Sequence, residues 1–116
     1  MAYDELLADR MRNVLKEKKT PYAEKQMMGG LAFMVDDKMC VGIIKDEMMV
    51  RLAPDDAEVA IHEPGLRRMN FTGRPMKGFI IAGQEAIDLD KDLELWIDRA
   101  LAFNPFAKSS KRRGKK

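Results

Sequence analysis

The chain has 116 residues with 21 Lys and Arg against 19 Asp and Glu, a formal charge of +2. That length forms one domain with a single modest core, and no apolar run approaches the roughly 18 residues that span a bilayer. A lone cysteine, Cys40, excludes an intrachain disulfide, and the absence of CxxC together with a single histidine, His62, excludes a zinc framework.

The N-terminus opens on Met1-Ala2-Tyr3-Asp4-Glu5, which lacks the basic-then-apolar pattern of a secretion signal, so a cytoplasmic location is expected. Leu7, Met11, Val14 and Leu15 follow Asp4 at helical spacing and predict an amphipathic helix that ends before Thr20-Pro21. Apolar runs at 26–28, 31–35, 39–44 and 48–52 come next. Gly29-Gly30, Asp36-Asp37 and Lys45-Asp46-Glu47 separate them, which is the spacing of an antiparallel meander. Pro54-Asp55-Asp56 suits the first turn of a short helix stopping at Pro64-Gly65, because proline needs no amide partner there and carboxylates favour the positive end of the dipole. Phe71-Thr72-Gly73-Arg74-Pro75-Met76-Lys77-Gly78 reads as a shaped loop leading into a strand through Ile81. A final helix carries Leu93, Trp96, Ile97, Ala100 and Leu101 as a stripe, with Asp88 or Asp90 as its cap and Asn104-Pro105 as terminator. The fold class expected is α+β, with a mostly antiparallel sheet of five to six strands, helices on one face, and the order α-β-β-β-β-α-β-(β)-α.

Charge divides the chain unevenly. Residues 108–116 hold Lys108, Lys111, Arg112, Arg113, Lys115 and Lys116 with no acid, and removing those six charges from +2 leaves residues 1–107 at −4. The domain is therefore assigned to residues 1–107, followed by a disordered basic tail whose chemistry suits nucleic acid or another polyanion, or simply solubility. Within the domain, no acid occurs from Pro64 to Gln84, where Arg67, Arg68, Arg74 and Lys77 form a local basic island. That island suits an anionic group or an acidic partner, or else scaffolding ion pairs with the domain's own carboxylates.

Catalytic machinery is not legible. The domain has no serine before Ser109, Thr20 and Thr72 fall in loops, and a Cys40–His62 dyad would require a strand residue expected in the core to face a helix end. The paired acids Asp36-Asp37, Asp55-Asp56 and Asp88-x-Asp90-x-Asp92 lack the glycine and closing glutamate of a calcium loop, and Gly73-x-x-x-x-Gly78 lacks the Lys-Ser/Thr of a phosphate loop. No enzyme, cofactor or metal is expected. Nine methionines besides Met1 suit either a soft core or an adaptable binding face.

The octapeptide at 71–78, Met27-Met28-Gly29-Gly30-Leu31-Ala32-Phe33-Met34 upstream and Trp96-Ile97-Asp98-Arg99-Ala100-Leu101 downstream resemble the TfoX N-terminal-domain family of the TfoX/Sxy bacterial competence regulators. The likeness runs from about Asp4 to Phe103; Met28 departs from it, since the family often has an aromatic there. The resemblance is to the N-terminal domain alone, which the full-length regulators follow with a second helical domain. It implies an open sheet similar to that of secretion chaperones. It also implies regulation, with the cyclic-AMP receptor protein, of competence-gene transcription through protein contacts. The residues singled out are Gly29, Gly30, Arg67, Arg68, Gly73, Arg74, Pro75, Lys77 and Gly78. The partner expected is a protein, with a homodimer among the assemblies allowed, nucleic acid reaching the tail only, and no membrane. The alternative reading is a stand-alone chaperone-like binding module.

Overall fold

A computed structural model of the chain describes residues 3–27, 29–71 and 74–107. Its order is α1 (Glu5–Glu17), β1 (Ala23–Met27), β2 (Gly30–Val35), β3 (Lys38–Ile44), β4 (Glu47–Arg51), α2 (Pro54–Ala60), β5 (Leu66–Phe71), β6 (Arg74–Ala82), α3 (Gln84–Ile87) and α4 (Asp90–Phe103), closed by a 3₁₀ turn at Asn104–Phe106. The α+β class, the six strands and the order of elements agree with the sequence reading. The five pairings among these six strands are antiparallel, and the sheet runs β1-β2-β3-β4-β6-β5.

Local chemistry sets the ends of these elements. Asp4 caps α1, its Oδ1 accepting from the Leu6 amide at 2.9 Å, and satisfies a donor that the first turn leaves orphaned. Past the other end, Lys19 takes the left-handed conformation at φ 54°, a position that glycine usually fills. Asp36 and Asp37, with φ of 54° and 64°, form the two-residue link between β2 and β3, matching the right-handed twist of the flanking strands. The cap expected at Asp88 or Asp90 is not formed. Leu89 occupies the cap of α4 without a side-chain bond, and Asp90 and Asp92 sit in the first turn instead, where their charge meets the positive end of the dipole. The separate short helix α3 was not distinguished in the sequence because four residues carry no readable period.

The sheet presents two faces in register. On one, Glu24, Phe33, Val41, Val50, Ile80 and Arg68 lie opposite one another across the six strands. The four apolar members of that row belong to the main core, with Leu7, Met11 and Leu15 of α1 and Leu93, Trp96 and Ile97 of α4. The charged members close its edges against the helices: Arg12 of α1 holds Glu24 at 2.7 Å, and Arg68 pairs with Glu58 of α2. Each ion pair lets an edge strand keep a charge beside the core without stranding it. Cys40 is the extra residue at the β2–β3 register shift, between Met39 opposite Met34 and Val41 opposite Phe33. The bulge turns its side chain into the main core, and burial pushes the thiol up to about 12.

Candidate interaction surface

The fold does not bring Arg67 and Arg68 of the basic island onto one face. Arg67 and Arg68 are consecutive on β5, so their side chains leave opposite faces of the sheet. Arg67 makes a two-pronged pair with Glu47 of β4, one bond at 2.8 Å, while Arg68 is taken by Glu58 on the helix side. Both cations are therefore matched by the domain's own carboxylates. The Arg67 guanidinium keeps the Glu47 carboxyl below its usual range through hydrogen bonds and charge. Gly73 and the side chains of Arg74, Pro75 and Lys77 lie outside what the structure describes, as do Met28 and residues 108–116.

The segment read as a loop from Gly73 to Gly78 is, from Arg74 onward, the first half of β6. Asn70 is opposite Pro75, yet Arg68 is opposite Ile80, so β6 bulges between them. Proline is tolerated there because the β4 register reaches only Phe79, leaving Arg74 and Pro75 paired with β5 alone. Gly78 sits in the bulge at φ 84°, and its carbonyl accepts from the Leu52 amide at 2.7 Å. That bond ties β6 to the short link between β4 and α2. Gly29, at φ 77° in the β1–β2 turn, and Gly30, packed on the Ile43 carbonyl, are likewise structural positions.

What the fold does assemble is the other face of the sheet. One register row reads Lys25, Ala32, Gly42, Met49, Ile81 and Arg67 from β1 to β5. Four consecutive central strands thus present apolar groups, with a cation at either edge. Met49, Met69 and Ile81 are buried together, and Met39, Ile44 and Phe79 pack around them half-buried. Among the described residues no helix side chain belongs to this cluster. The methyl end of Met49 lies over Gly42, where a Cβ would stand 2.6 Å from it. Arg51 lies across the face, its guanidinium 5.2 Å from the centre of the Phe79 ring and donating to the Met39 carbonyl at 3.5 Å. Burial lowers the Arg51 pKa, so this cation rests on aromatic and backbone acceptors rather than in open solvent. The alternation of Met48, Val50 and Leu52 with Met49 and Arg51 made two faces readable. The partnership of Arg51 with Phe79 was missed because 28 residues of sequence separate the two.

The fold keeps Cys40 and His62 apart in their surroundings. Cys40 is in the core and His62 is in an exposed turn after α2, and no hydrogen bond joins them. Among the described residues no three His, Cys, Asp or Glu come together as a metal site, and no helix is long and apolar enough to cross a membrane.

With the sheet, its bulge and its two faces established, comparison with known families gives a match to the TfoX N-terminal domain over residues 14–104. The chain belongs to the TfoX N-terminal domain family. The matched span takes in all six strands and α2 to α4. It therefore contains both faces of the TfoX N-terminal sheet and the Gly78 bulge. No curated protein and no solved structure gives a significant match.

Proposed function

We propose that this TfoX N-terminal domain is a non-enzymatic regulatory accessory module of the competence-regulator type. It acts in transcriptional control by holding another protein on the helix-free face of its sheet. The observation that carries the reading is the row Ala32, Gly42, Met49 and Ile81 across four central strands. An antiparallel sheet with one face in water ordinarily alternates to polar residues on that face. Here the second face is apolar at its centre and charged at its margins, the distribution of a protein interface with a rim. Membership of the family supports a regulatory setting.

The test is capture of partners from the native cell by the chain and by its Met39→Glu and Ile44→Glu variants, alongside transcription of a competence-gene reporter. Both residues are half-exposed at the edge of the cluster, so the variants should melt near the parent. Loss of captured protein and of reporter output in both supports the reading. Retention of both by folded variants refutes it.

A second reading, a chaperone-like module for several clients, is favoured by Met39, Met49 and Met69 on one face, since flexible thioethers repack against unlike surfaces. The same experiment separates the two readings by whether one protein or many are lost.

A further inference from the structure

The helix layer carries a second surface, independent of the sheet face and reached by different variants. Between α2 and the C-terminal half of α4 lies a cleft of about 410 Å³. Leu52, Ala60 and Ala102 are its apolar lining together with Val59, the two alanines contributing short side chains from the two helices. On its α2 side, Asp56, Val59, Ala60 and Glu63 recur at i, i+3, i+4 and i+7, one stripe of a helix and the turn that follows it. Val59 is 69% exposed on that stripe, and Leu95, one turn before Arg99 on the α4 side, is 44% exposed. The apolar strip is thus elongated, running beyond the cleft, and a compact small molecule seated in the cleft would leave Leu95 uncovered.

Acidic groups predominate around it. From Leu52 to Leu66 the chain carries four carboxylates, Asp55, Asp56, Glu58 and Glu63, and no lysine or arginine. Arg99, the cation at the cleft, is occupied: it lies 4.5 Å above the Trp96 ring and pairs with Glu63 at 3.4 Å. Glu58 is held by Arg68. Asp55 and Asp56 have no ion-pair partner among the described residues, so they remain to meet an incoming cation.

We infer that the α2–α4 cleft is a docking groove for a basic amphipathic helix of a partner protein, with leucine-sized side chains entering over Ala60 and Ala102 and Lys or Arg meeting Asp55 and Asp56. Apolar residues at helical spacing beside an unmatched acidic rim are the complement of such a segment. The chain's own tail fills this role poorly, because Lys108 to Lys116 includes no apolar residue to enter the cleft.

The probe is a fluorescent synthetic helix with leucines at i, i+4 and i+7 and lysines elsewhere, compared with the same leucine stripe set among glutamates, using anisotropy at physiological ionic strength on the full chain. The lysine peptide should bind saturably and the glutamate peptide should not. Asp56→Lys and Val59→Asp should each weaken binding by about tenfold, with Asp56→Asn as a milder variant should either fail to fold. Glu17→Lys, the same charge change on α1 away from the cleft, should leave binding within about twofold. No saturable binding, equal binding of both peptides, or equal weakening by Glu17→Lys would each overturn the groove, the last showing diffuse attraction to an acidic body.

Discussion

Three glycine-to-alanine substitutions separate the two physical demands that this fold places on its backbone. Gly29 has φ 77° with nothing within 4 Å of an added Cβ, so Gly29→Ala isolates the conformational term. A non-glycine residue in the left-handed region costs about 1–2 kcal/mol. Gly30 has no positive φ, but its Cβ would fall on the Ile43 carbonyl, so Gly30→Ala isolates the steric term. Gly78 combines both: φ is 84° and a Cβ would stand 2.7 Å from the Leu52 carbonyl oxygen. The Leu52 amide is already bonded to the Gly78 carbonyl at 2.7 Å, so relief by moving one strand past the other breaks that bond. Adding an overpacking term of about 1–3 kcal/mol to the conformational term predicts a loss of roughly 2–5 kcal/mol for Gly78→Ala. At this size that is a fall in Tm of roughly 8–20 °C. Urea titration with thermal melts followed by circular dichroism measures all three, with Gly29→Ala expected at the mild end. A Gly78→Ala protein no less stable than Gly29→Ala would mean that the Leu52 contact does not constrain the bulge, and the reasoning would fail.

Further outcomes follow from the same geometry. Arg67→Met should lose about 0.2–1 kcal/mol at neutral pH, the range for an ion pair with a half-exposed arginine. Because Arg67 depresses the folded pKa of Glu47, that contribution is present above the ordinary carboxylate range and disappears as pH falls through the folded value. Melts of both proteins across the acid range should therefore converge, and a gap that persists in acid would refute the assignment. Cys40, buried and pushed up to about 12, should resist thiol reagents in the native protein and react at a rate set by unfolding in graded urea; fast native labelling would contradict the bulge that buries it. Lys19→Gly should stabilise the chain by about 0.5 kcal/mol, since glycine accepts the left-handed position past α1 without a Cβ penalty, and an unchanged or lower urea midpoint would count against it.

Much of this architecture is written locally. Asp4 before a helical stripe, Pro54 with two carboxylates behind it, and Asp36-Asp37 between apolar runs act within a few residues, so periodicity and capping chemistry revealed them without tertiary information. The two faces of β4 were readable for the same reason, through the alternation of Met48, Val50 and Leu52 with Met49 and Arg51. Pairing across the sheet is another matter. Proximity of Arg67, Arg68, Arg74 and Lys77 in sequence suggested one basic site, but strand geometry sends adjacent side chains to opposite faces. Glu47 and Glu58, 20 and 10 residues away, claim the first two. Whether 74–78 is loop or strand depended on β5 lying alongside it, and the placement of Met49 with Met69 and Ile81 depended on β6 inserting between β4 and β5. The α2–α4 cleft likewise joins residues more than 30 positions apart. Sequence determined the elements because their causes lie within one turn or one hairpin; the tertiary structure alone decided the surfaces, because a surface is made by which elements become neighbours.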